Sequence, residues 1–167
     1  MKTALCGNCG KTAQVVRRNY EFKEMGIPVE LQKIQVIDCS HCGNVDPIIP
    51  NMDGLMTIVA IAVLCSRCKL HGSEVRFLRK YVNKSAVEFS RFLHIDHTHL
   101  SKIENDRYEV GKELDKLIRL MVIAMDRPRL AVAVKGLMEL MPNIVDDCSE
   151  QKQEIQIDPS TLEYQYA

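Results

Sequence analysis

No stretch of this 167-residue sequence is apolar for long enough to cross a bilayer. The longest run, Leu55–Cys65, falls well short of the roughly 20 residues that a spanning helix needs. Met1 to Cys6 carry no hydrophobic signal core, so a cytoplasmic chain is expected and export is not. Charge of one sign is lacking too. The 22 Lys and Arg residues face 22 Asp and Glu, a formal net charge of zero, which at first argues against a nucleic-acid partner. With 46% apolar and 26% charged residues, a wholly disordered or fibrous chain is excluded. One medium domain or two small ones fit this length.

Resolving the charge along the chain changes the picture. Residues 66–112 hold ten basic and six acidic groups, net +4, with four of the five histidines. Residues 142–167 hold Lys152 against six acids, net −5. The zero is a cancellation between a basic middle and an acidic end.

Cysteine is not scarce. Six of the seven cysteines fall in Cys-x-x-Cys pairs, at 6/9, 39/42 and 65/68. No βαβ pattern flanks them, so a thioredoxin-like redox motif is disfavoured, and in a reducing compartment metal ligation is read before disulfides. Cys6, Cys9, Cys39 and Cys42 would supply four thiolates, the closed tetrahedral set of structural Zn2+, with no open position for catalysis. His41 reads as a spacer between two ligands. Thr12 to Phe22 and Val29 to Asp38 read as a β-hairpin between the two pairs. Apolar alternation shifts phase between Val29/Leu31 and Ile34/Val36, which predicts a bulge near Gln32–Lys33. A hairpin pinned by two such knuckles is a zinc ribbon, expected over residues 1–46.

Residues 47–71 read as a linker and an apolar helix that continues into Cys65 and Cys68. A second metal site from Cys65, Cys68, His71 and Cys148 can be drawn, but small buried hydrophobes on a packed helix explain the same cysteines. Residues 72–141 read as helical. One helix spans Glu74–Val82, a capping box at Ser85-Ala86-Val87-Glu88 opens the next, and Asp96 caps a third running to Glu104. Two helices of about nine residues joined by a short turn predict a helix-turn-helix. Leu100 and Ile103 face its core, which leaves Thr98, His99, Ser101 and Lys102 outward, a face suited to the major groove. Two more helices follow, with Leu114, Leu117, Ile118, Met121 and Val122 as a core stripe. Residues 142–167 read as an acidic, flexible tail. The fold class expected is thus α+β, a zinc ribbon followed by an all-α domain. No catalytic constellation is seen, and an enzyme is not expected.

At this point residues 1–125 resemble the MqsA/YgiT-type zinc-ribbon plus helix-turn-helix proteins, many of them antitoxins. The two cysteine pairs match the ribbon, and Arg79, Ser85 and Glu104 match the Cro-type (XRE) half. The resemblance implies an ion pair between Arg79 and Glu104. It also implies base reading by Thr98 and Lys102, with His97 and His99 adjacent. The family's usual Gln after the cap is Ala86 here, and its usual glycine after the third helix is Asp106. Ser85, Arg91, Ser101, Arg107 and Tyr108 are expected on phosphates. The implied function is a bacterial, nucleoid-associated repressor, a homodimer on a palindromic double-stranded operator, and the antitoxin of a ribonuclease toxin. A stand-alone regulator and a thiol redox sensor using Cys65 and Cys68 are the alternatives.

Overall fold

The computed structural model describes residues 2–144 and 154–166. The chain divides into two compact units, one of residues 1–23, 28–55 and 153–167, the other of residues 24–27 and 56–152.

The first unit is built on a mixed sheet. Strands β1 (Lys2–Leu5), β2 (Thr12–Glu21) and β3 (Val29–Asp38) form an antiparallel meander, and the short β4 (Val45–Pro47) pairs with the end of β3. The hairpin expected between the cysteine pairs is present. Arg18 pairs with Ile34 and Tyr20 with Leu31, so Gln32 and Lys33 both stand opposite Asn19. This is the bulge the phase shift predicts. Lys33 takes the left-handed region at φ 50°, and its N–H donates to Asn19 Oδ1 at 3.1 Å. The extra residue returns Ile34 and Val36 to the face that already holds Val29 and Leu31, and all four are buried.

Residues 155–166, placed in a tail by their acidity, instead complete this sheet. Strand β5 (Ile155–Asp158) pairs in parallel with β3, Val29 with Ile155 and Leu31 with Ile157, and β6 (Glu163–Tyr166) pairs antiparallel with β5. Ile155 and Ile157 are buried, each a contribution of about 1.5–3 kcal/mol. The Ile-x-Ile alternation among acids carried this signal, and the segment's net charge masked it.

Helix α1 (Met52–Cys65) opens where Asn51 Oδ1 accepts the Gly54 N–H at 2.9 Å. It ends at Cys65, so Cys68 does not share its face as a continuous helix would require. The second unit continues with α2 (Gly72–Tyr81), α3 (Ala86–Phe92), α4 (His97–Glu104), α5 (Lys112–Met125) and α6 (Arg127–Leu140). Each boundary has a local cause. Ser85 and Glu88 form the expected capping box, Asp96 caps α4, and Asn83 takes φ 52° after α2. Asp106 adopts φ 54° and accepts the Gly72 N–H at 3.0 Å. Gly72 itself is fixed by space, because a Cβ there would lie 2.0 Å from the Ile103 carbonyl oxygen.

The core stripe of α5 is rotated from the one expected. Ile118 and Val122 are buried, but Leu117 is exposed, and Asp115 and Arg119 are buried instead. Arg119 Nε donates to Asp115 Oδ2 at 2.8 Å, while Nη1 donates to the carbonyls of Leu64 (2.7 Å) and Ser66 (2.9 Å). Nη2 reaches the Cys68 carbonyl at 2.7 Å. The guanidinium therefore satisfies the carbonyls orphaned where α1 stops.

Candidate metal centre and candidate nucleic-acid interface

The two N-terminal Cys-x-x-Cys pairs fold into matching knuckles. In the first, Gly10 N–H donates to Cys6 O at 2.9 Å and Cys6 N–H to Lys11 O at 2.9 Å. In the second, Gly43 N–H donates to Cys39 O at 2.8 Å and Cys39 N–H to Asn44 O at 2.9 Å. Gly10 and Gly43 lie at φ 70° and 71°, a conformation that favours glycine at both positions.

The knuckles turn four sulfurs inward. Cys6 and Cys42 Sγ are 3.6 Å apart, as are Cys9 and Cys39, and all four lie within 4.8 Å of one another. These distances exclude disulfides, and all four cysteines are free. Four sulfurs about 2.3 Å from a central ion in a tetrahedron stand about 3.8 Å apart, so the cluster has room for a thiophilic cation. Cys6 and Cys39 are buried and pack with Ala13 and Ile37, so one side of the centre is dry.

Protonation differs across the cluster. The backbone N–H groups of Cys9 and Asn8 lower the Cys6 thiol to about 6. At Cys9 the N–H of Lys11 pulls downward, yet desolvation and the three neighbouring sulfurs push the thiol up to about 11. Four thiolates this close repel one another, and a bound cation would offset that repulsion. Among the described residues this is the one group of His, Cys, Asp or Glu side chains arranged to hold a metal ion.

The second metal site drawn from the sequence is not assembled among the described residues. Cys65 is half-buried, with its Sγ 3.8 Å from the Ala133 carbonyl oxygen. Cys68 is disulfide-bonded, and His71 stands at the N-cap of α2. Cys148 lies outside the described residues.

In the helical unit, Ser85, Arg91, His97, Thr98, His99, Ser101, Lys102, Arg107 and Tyr108 are all exposed. Several are already engaged. Ser85 Oγ donates to Glu88 Oε2 at 2.7 Å and accepts the Glu88 N–H at 3.2 Å. Thr98 gives both its N–H and its hydroxyl to Asp96 Oδ1, so that amide at the start of α4 is taken. Tyr108 is half-exposed beside α4, with its ring centroid 5.7 Å from that of His99 and 5.2 Å from Lys102 Nζ.

Arg79 and Glu104 lock α2 to α4. Nε and Nη2 donate to the two carboxylate oxygens at 2.6 and 2.9 Å, and Nη1 donates to the Lys84 carbonyl at 2.8 Å. The hydrogen bond to Glu104, and then the charge of that carboxylate, raise the Arg79 pKa further, so the guanidinium stays charged. Two residues beside this face were not picked out from the sequence. Asn105 accepts from Arg76 at 2.6 Å and donates to the Ser101 carbonyl at 2.6 Å, and exposed Phe92 lies 5.8 Å from Lys84 Nζ. Their signal exists only in three dimensions, since neither belongs to a spaced motif.

No family model, curated protein or solved structure matches this chain. No helix among the described residues is long and apolar enough to cross a membrane.

Proposed function

We propose that the protein is a sequence-specific DNA-binding repressor in which α3 and α4 form a helix-turn-helix, with one structural Zn2+ held by Cys6, Cys9, Cys39 and Cys42. The observation that carries this reading is the exposed polar face of α4, His97 to Lys102, on a helix held by the bidentate Arg79–Glu104 pair. Thr98 and Lys102 would read base edges with His97 or His99, while Arg91, Ser101 and Arg107 would meet phosphates. Leu117, Leu120, Val134 and Met138 are exposed on α5 and α6 and would give a second copy an apolar surface. Two copies would need palindromic half-sites roughly 34–36 Å apart.

The test is selection of bound sequences from random duplexes, followed by Lys102→Ala on the selected site. A loss of about 1–3 kcal/mol there, with little change on random DNA, is expected of a base reader. Failure to enrich any sequence would overturn the reading. Within it, the finer assignment is an antitoxin that neutralises a ribonuclease toxin and represses its own operon. A small toxin reading frame beside the gene supports that, and its absence leaves a stand-alone regulator.

The disulfide at Cys68 favours one second reading, a thiol sensor built on this bond, with Cys65 three residues away. Reduction would then change DNA affinity reversibly. Identical binding before and after reduction removes it.

A further inference from the structure

The first unit contains a cavity of about 280 Å³ lined by residues of β2 and β3, by Ile48 and Pro50, and by the turn after β5. Three separate parts of the chain meet there. Arg17 comes from β2, Lys33 from the bulge in β3, and Asp158 from the far end of the sequence. Ile48, Pro50 and Pro159 supply an apolar wall. Among the described residues neither Arg17 nor Lys33 is held in an ion pair.

Lys33 is not there by default. A non-glycine residue at φ 50° is uncommon, and such conformations collect where a side chain must be aimed. The bulge costs a ladder position, and the Asn19 side chain holds it by accepting the Lys33 N–H. At the same cavity the Ser160 N–H and hydroxyl both donate to Asp158 Oδ1, which keeps that group an oriented carboxylate. The Ser160 hydroxyl, its N–H and the Lys33 charge all favour the ionised form of Asp158.

We infer that this cavity binds a free α-amino acid with an apolar side chain. Arg17 and Lys33 would take its carboxylate, the Asp158 carboxylate would take its ammonium, and Ile48, Pro50 and Pro159 would cover its side chain. The volume lies just under the usual range for small-molecule pockets, which limits the occupant to roughly ten non-hydrogen atoms. An open site of that size gives a dissociation constant on the order of 1 mM.

The test is a titration of the full-length, isotopically labelled protein, followed by amide NMR shifts, with L-leucine, L-methionine and L-phenylalanine as probes. Two half-ligands, 4-methylpentanoate and 3-methylbutylamine, serve as comparisons. Saturable shifts confined to residues 17, 33–35, 48 and 158–160 are expected for at least one amino acid. Each half-ligand should bind about tenfold more weakly, reflecting one lost charge-assisted contact. Arg17→Gln, on an exposed strand face, should weaken the amino acid and leave the remaining spectrum in place, and Asp158→Asn should erase the preference over 4-methylpentanoate. No saturable shift with any of the three probes overturns the proposal. So does equal binding of L-leucine and 4-methylpentanoate, which would make this a plain anion site, or binding unchanged in Arg17→Gln.

Discussion

Replacing Arg119 by Met should be the most damaging single change in the helical unit. The side chain is fully buried and places hydrogen bonds on Asp115 and on the carbonyls of Leu64, Ser66 and Cys68. Methionine fills much of the same volume but donates nothing, so Asp115 would keep only the Leu70 N–H at 2.7 Å. Removing one partner of a buried ion pair costs about 3–5 kcal/mol, because the other charge is left uncompensated. At a urea dependence of about 2 kcal/mol per molar, the midpoint should fall by about 2 M. Helical circular dichroism follows the transition, since among the described residues the α-helices, apart from the start of α1, lie in this unit. Adding Asp115→Leu to Arg119→Met should recover much of the loss, because the stranded carboxylate is gone. A single-variant cost below about 1 kcal/mol, or a double variant no more stable than the single, would refute the reasoning.

Tyr108→Ala should weaken specific DNA binding by about 0.5–1 kcal/mol, the value of an exposed cation–π contact, while Tyr108→Phe should bind normally. Equal losses in both would show that the hydroxyl touches phosphate instead. A strong chelator should remove one metal ion per chain and unfold the β-signal of the first unit while the helical signal persists, and Cys9→Ser should do the same without chelator; metal analysis with circular dichroism checks both. Glu88 is held below the ordinary carboxylate range by the Ser85 hydroxyl first and its N–H second. Its stabilisation is therefore complete above the unfolded-state value and fades as pH falls through the folded one. Thermal midpoints of the parent and Ser85→Ala should differ most at pH 7, and the gap should narrow as acid protonates Glu88, down to the part contributed by the Glu88 N–H bond to Ser85 Oγ.

Features that depend on neighbours in sequence are legible in the sequence itself. The bulge follows from the phase of Val29, Leu31, Ile34 and Val36, and the helix starts follow from Ser85, Glu88 and Asp96, because both depend on neighbours in sequence. The four-sulfur cluster follows from paired spacing. Two features needed long-range information. Leu114 and Leu117 look like core by periodicity, yet the end of α1 requires a donor, and Arg119 supplies it by turning α5 so that Leu117 faces solvent. Ile155 and Ile157 belong to the sheet because β3 offers an edge beyond the reach of β4, and nothing within residues 142–167 announces that edge.

The parallel pairing of Val29 with Ile155 also orders events at the ribosome. The helical unit is encoded almost wholly between residues 56 and 152 and can close on itself as soon as it emerges. The first unit cannot, because the partner for the start of β3 is made more than a hundred residues later. Until then β3 carries an unpaired edge beside Leu31 and Val29, which are apolar and sticky. Metal capture by the two knuckles needs only residues 6–42 and can precede that closure. The N-terminal strands would thus be held in register by four sulfurs during the interval in which aggregation is the competing outcome.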